Sequence, residues 1–158
     1  TGGLQSFIPT LSKKILTKKE LIFLTNSIAG TRIAQWSEDN SSLTKNANKD
    51  ILELSKKNKI KYIIWNQGES DAYKIVNYEK HFLKFKKNLL NGLTLQEKNS
   101  INFIITQSSI CASVFKRDKK LNKIQKKLGE RKNIFVTDVT DSLNMNYRYD
   151  RCHLNKFV

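Results

Sequence analysis

The 158 residues carry 29 Lys and Arg against 14 Asp and Glu, a formal net charge of +15, with 39% hydrophobic residues. A chain of this length buries one real core and forms a single domain, 1–158. One Pro, six Gly and 27% charged residues exclude a collagenous or low-complexity chain, and no apolar run reaches the length that crosses a bilayer.

Residues 9–18 read as a helix, with Pro9 in the first turn and Leu11, Ile15 and Leu16 on one side. Leu21-Ile22-Phe23-Leu24 reads as a short buried strand, over residues 20–25. Ser41 or Ser42 caps a helix that runs to residue 57, with Leu43, Ala47, Ile51 and Leu54 at helical spacing. Residues 60–65 form the next strand. Segment 77–90 is helical, with Tyr78, Phe82, Phe85 and Leu89 along one stripe and His81 at its boundary, read as a surface or boundary histidine. A third strand covers 101–107, and a basic helix covers 117–129, with Leu121, Ile124 and Leu128 inward and Gly129 near its end. A fourth strand, 133–137, leads into a polar loop, 138–153, that holds Asp138, Asp141, Asp150 and His153. Strands separated by helices predict a parallel sheet covered on both faces.

The Lys pairs at 13–14, 56–57, 86–87 and 126–127 fall on predicted helices, so the charge reads first as solvated helix faces. Attraction to an anionic polymer is the functional alternative. No nucleic-acid-binding motif is present, so no specific nucleic-acid partner is expected. Two cysteines set no disulfide framework. Cys111 follows an apolar run and reads as a buried thiol. Cys152 adjoins His153, but neighbours in an extended loop point apart, which argues against a Cys–His pair.

The densest chemistry lies in Trp65-Asn66-Gln67-Gly68-Glu69-Ser70-Asp71, directly after the strand Ile60–Ile64. Open α/β sheets place their chemistry at the carboxyl ends of the strands. Read alone, the segment is either such a site or a plain strand-to-helix turn with Ser70 or Asp71 as N-cap. Two further loops would share its rim: 26–32 with Trp36 behind it, and Asp150-Arg151-Cys152-His153. Gly30 permits close backbone approach. Gln67 carries two amide donors suited to an oxyanion. His153 can take a proton from a nucleophile while Asp150 holds its tautomer. That set fits acyl transfer.

These motifs, in this order, resemble the SGNH hydrolases, in particular the sialate O-acetylesterase-like carbohydrate esterases. Residues 65–72 are very like that branch's W-x-Q-G-E-S-D-A signature. Residues 29–36 are similar to its glycine block, and Asp150-Arg151-Cys152-His153-Leu154 to its closing D-x-x-H block. The resemblance spans residues 4–155. It implies a three-layer α/β/α sandwich with a flavodoxin-like (SGNH-type) parallel sheet. It implies hydrolysis of O-acetyl groups on carbohydrate, with neither metal nor organic cofactor. His153 would be the base and Asp150 its orienter. Gly30 and Gln67 would be oxyanion donors, Asn66 and Arg32 would contact substrate, and Glu69 and Asp71 would brace the loop.

Departures from the pattern shape the expectation. Nothing matches the family's Ser-bearing G-Q-S-N block; Leu4-Gln5-Ser6-Phe7 has a Gln-Ser pair without a preceding strand. The first strand of the fold is therefore expected to be missing, the domain N-terminally truncated, and the chain alone inactive. Ala29 stands where the first of two glycines is usual, Arg32 adds a charge that suits an acidic sugar, and Arg151-Cys152 replaces the commoner Gly-Ile. The alternative is a non-catalytic carbohydrate-binding or interaction module. Sugar, acyl group, oligomeric state and compartment stay open.

Overall fold

The computed structural model describes residues 22–72, 77–108, 119–140 and 145–148. In chain order these form helices α1 (Ile33–Ser37) and α2 (Ser42–Ser55), strand β1 (Tyr62–Asn66), helices α3 (Tyr78–Leu89) and α4 (Leu95–Ser100), strand β2 (Asn102–Thr106), helix α5 (Lys119–Leu128), strand β3 (Ile134–Val136) and a 3-10 turn at Met145–Tyr147.

The sheet is parallel throughout, in the order β1-β2-β3. Its register sets Ile63 beside Phe103 and Phe103 beside Ile134. The next same-face row is Trp65, Ile105 and Val136. Alternation along a strand sends these residues to one face. On that face Phe103 and Ile105 are fully buried and Trp65 nearly so. On the other face Tyr62 and Phe135 are more than half exposed, at 59% and 57%.

Helix α3 covers the buried face because its apolar residues recur at helical spacing. Tyr78, Phe82, Phe85 and Leu89 are all buried, as the stripe predicts. Phe85 lies 4.3 Å from the Trp65 ring centroid, and Phe82 meets Phe103 edge-on at 6.0 Å. Trp36, carried by α1, closes the cluster edge-to-face with Trp65 at 5.4 Å. Helix α2 starts at the expected cap, Ser41, whose hydroxyl accepts from the Thr44 N–H. It buries Ala47 and Ile51 from the predicted stripe.

Two expectations need correction. Residues 22–25 are not part of any strand: Ile22, Phe23 and Leu24 are 52%, 37% and 48% exposed. An apolar run becomes a strand only with a neighbouring backbone to complete its ladder. Among the described residues β1 pairs with β2 alone, so no such neighbour stands on its other side. Among the described residues Ser70 and Asp71, the alternative N-caps, start no helix: 69–72 are turn, and α3 begins at Tyr78 after Asn77 in the left-handed region (φ 50°). The helix expected over 9–18, residues 20 and 21, Cys111, Asp141, Asp150, Arg151, Cys152 and His153 lie outside the described residues.

Candidate active site at the carboxyl edge of the sheet

Parallel strands deliver all their carboxyl ends to one edge. Here that edge gathers Asn66 at the end of β1 with Gln67 after it, Gln107 and Ser108 after β2, and Thr137 after β3. Side-chain bonds tie the three exits together. The Thr106 hydroxyl donates to Asn66 Oδ1 at 2.6 Å, and the Gln107 N–H donates to Thr137 Oγ1 at 3.4 Å.

The loop that leads into α1 docks on the same edge. Gln67 Nε2 donates to the Thr31 carbonyl at 3.1 Å. Asp71 Oδ2 accepts from the Ile33 N–H, the first of α1, at 2.8 Å, and also from Gln67 Nε2. Thr31 Oγ1 accepts from Trp36 Nε1 at 2.9 Å and donates to the Ile28 carbonyl at 2.9 Å. The blocks 29–36 and 65–72, more than thirty residues apart in sequence, thus form one hydrogen-bonded unit. Asp71 is buried at 5% exposure, and its carboxylate satisfies a helix-start N–H that would otherwise be orphaned.

Each site residue read from the sequence has a definite setting. Gly30 is exposed, in the left-handed region (φ 72°), with open space where a side chain would stand. Arg32 and Asn66 are exposed at the rim. Gln67 is half-buried and uses both amide hydrogens internally, on Thr31 and Asp71. A substrate oxygen therefore reaches Gln67 Nε2 only by sharing or replacing one of those bonds. Glu69 is half-buried beside this network.

His81 does not extend the site. It is half-buried on α3, with Nδ1 2.6 Å from Ser37 Oγ. The Ser37 hydroxyl also lies 2.9 Å from the Ala34 carbonyl of its own helix. The pair ties α3 to α1 and shares no hydrogen bond with the Gln67–Thr31–Asp71 network.

The sequence reading missed what lies beneath the rim. Tyr78 and Gln125 are buried at 1% and 0% exposure under residues 67 and 68. Burial pushes the Tyr78 hydroxyl up to about 12, so it stays protonated and donates to Gln67 Oε1 at 3.2 Å. Gln125 stands one turn after Leu121 and just before Leu128, inside the apolar stripe of α5. An amide in an apolar stripe was the signal available.

Among the described residues no three His, Cys, Asp or Glu side chains gather as metal ligands would. No helix among them is long and apolar enough to cross a membrane. The family model described as carbohydrate esterase, sialic acid-specific acetylesterase, matches residues 4–157. No curated protein and no solved structure matches the chain.

Proposed function

The chain belongs to the sialic acid-specific acetylesterase family of carbohydrate esterases, and on that premise we propose that its rim is a deacetylation site for O-acetylated sugars. The observation that carries this reading is the joining of block 29–36 to block 65–72 through Gln67–Thr31 and Asp71–Ile33. It sets Gly30, Arg32, Asn66 and Gln67 along the carboxyl edge, where a substrate carbonyl can be approached from solvent.

In this reading a serine hydroxyl attacks the acetyl carbonyl. His153 takes its proton, and Asp150 holds the imidazole tautomer. The Gly30 N–H and the Gln67 amide stabilise the oxyanion of the tetrahedral intermediate. His153 then returns the proton to the departing sugar oxygen, and water cleaves the acetyl-enzyme by the same route. Arg32 faces solvent at the rim and suits a carboxylate-bearing sugar such as a sialic acid. The attacking serine has no match among residues 1–158, so this chain by itself hydrolyses acetyl esters poorly.

One observation favours a second reading, a non-catalytic carbohydrate-binding or interaction module. Gln67 commits both its donors to the protein, as a purely structural amide would. Acetate release from O-acetylated sialic acid by the full-length protein separates the two. The esterase reading expects turnover, and expects Gln67→Ala to lower kcat about 10²–10³-fold with little change in KM. Turnover unaffected by Gln67→Ala removes Gln67 from the oxyanion hole. Sugar binding without any acetate release establishes the module instead.

A further inference from the structure

Gln125 is fully buried, in the middle of a helix that carries Leu on either side of it. A buried carboxamide costs stability unless its hydrogen-bonding capacity is met. Here it is met by the backbone of the rim and by Tyr78 beneath it. Gln125 Nε2 donates to the Gln67 carbonyl at 3.1 Å and to Tyr78 Oη at 3.4 Å. Gln125 Oε1 accepts from the Ser108 N–H at 3.1 Å. Asn122, one turn earlier, donates to the Ser108 carbonyl at 2.8 Å. One side chain from α5 therefore clamps the backbone leaving β1 to the backbone leaving β2.

The contact is close. A Cβ on Gly68 would stand 2.9 Å from Gln125 Nε2 and 2.8 Å from Ser108 Cβ. The Gln67 main chain is held on its inner side by Gln125 while its side chain is held by Tyr78, Thr31 and Asp71. No other described group donates to both the Gln67 and the Tyr78 oxygens. A leucine at 125 would fill the same stripe without any of this, so core packing alone does not call for an amide.

We infer that Gln125 is a positioning residue: through the Gln67 carbonyl and the Ser108 N–H it fixes where Gln67 and Gly68 present themselves at the rim. The inference rests on the esterase reading for its catalytic consequence. Its structural half, immobilisation of 67–72, does not depend on that reading. Misplacing a reacting group by about 1 Å costs on the order of 10²-fold in rate.

The test uses the full-length protein and compares Gln125→Leu, Gln125→Glu and Leu128→Val. Leu128 is buried on the same helix and makes no contact with the loop network among the bonds described, so Leu128→Val reports general loosening of the core. Gln125→Glu keeps the acceptor for Ser108 and loses the amide donors, and serves if the leucine variant does not fold. For each, kcat and KM for acetate release and amide hydrogen exchange across residues 67–72 are measured. The expected result is a drop in kcat of about 10–100-fold with KM within about twofold. Exchange at 67–72 rises about tenfold or more in both Gln125 variants, and Leu128→Val shows neither effect. Unchanged exchange at 67–72 in the Gln125 variants overturns the inference whatever the activity. Raised exchange with unchanged kcat overturns the catalytic half of it. A wild-type protein that releases no acetate defeats the esterase reading, and the exchange comparison still decides whether Gln125 positions the loop.

Discussion

Tyr78 shows how one buried side chain links folding to the site. Its hydroxyl donates to Gln67 and receives from Trp65 Nε1 and Gln125 Nε2. Its folded pKa, about 12, lies above the unfolded value of about 10. The unfolded chain therefore loses this proton first as pH rises. Tyr78 contributes full stability below pH 10, and that contribution falls between pH 10 and about 12. Two pH units correspond to about 3 kcal/mol. Urea melts of wild type and Tyr78→Phe across that window should show a steeper decline for wild type; parallel curves would place the tyrosine in water. Gly68 makes a second residue-scale prediction. Gly68→Ala forces a methyl against Ser108 Cβ and Gln125 Nε2, both closer than 3 Å. The expected cost is about 1–3 kcal/mol in chemical denaturation. A neutral effect would mean that the loop shifts freely and that the clamp is weak.

At the scale of elements, legibility followed length and amphipathic stripe. Helices α2 and α3 were readable because their apolar residues repeat over three or four turns. Strands β1, β2 and β3 were readable as apolar runs between polar loops. Helix α1 was not read as a helix, because five residues hold too few turns for a period. Helix α4 was also unread, although its start carries a capping signature: Thr94 Oγ1 accepts from the Glu97 N–H at 3.2 Å, and the Glu97 carboxylate accepts from the Thr94 N–H at 2.7 Å. The Thr94 hydroxyl donates to the same carboxylate at 2.7 Å, and with the Thr94 N–H it holds the Glu97 carboxyl below the usual range. Thr94→Ala should lower stability by about 1 kcal/mol in a thermal melt and leave any esterase activity intact, since α4 contributes no residue to the rim. A loss of activity would tie α4 to the site. Residues 22–25 failed as a strand for the opposite reason: their composition suits a strand, but a ladder depends on a neighbour that the run itself does not specify.

At the scale of the molecule, the alternation of elements was enough to predict a parallel sheet, and the sheet in turn predicts which loops meet. The meeting of 29–36 with 65–72 was legible on that ground, through residues such as Thr31 and Asp71 that bond across it. The support beneath the rim was not, because Gln125 becomes meaningful only once three segments converge on it. On α5 the charge lies on a solvated helix face, whereas Lys86 on α3 is partly buried over the Phe103 ring. Lys123, Lys126 and Lys127 face solvent on α5 while Leu121 and Leu128 face the core, and Glu79 pairs with both Lys127 and Arg131. In the proposed function the rim is an O-acetyl carbohydrate esterase site with His153 as its base. Acetate release from O-acetylated sialic acid tests it most directly, comparing the 158-residue chain, the full-length protein, and the full-length protein carrying His153→Ala. The prediction is little or no turnover by the chain alone, clear turnover by the full-length protein, and a loss of about 10³-fold or more in the His153→Ala variant. Turnover that survives His153→Ala, or rapid turnover by the chain alone that Ser6→Ala abolishes, would contradict it.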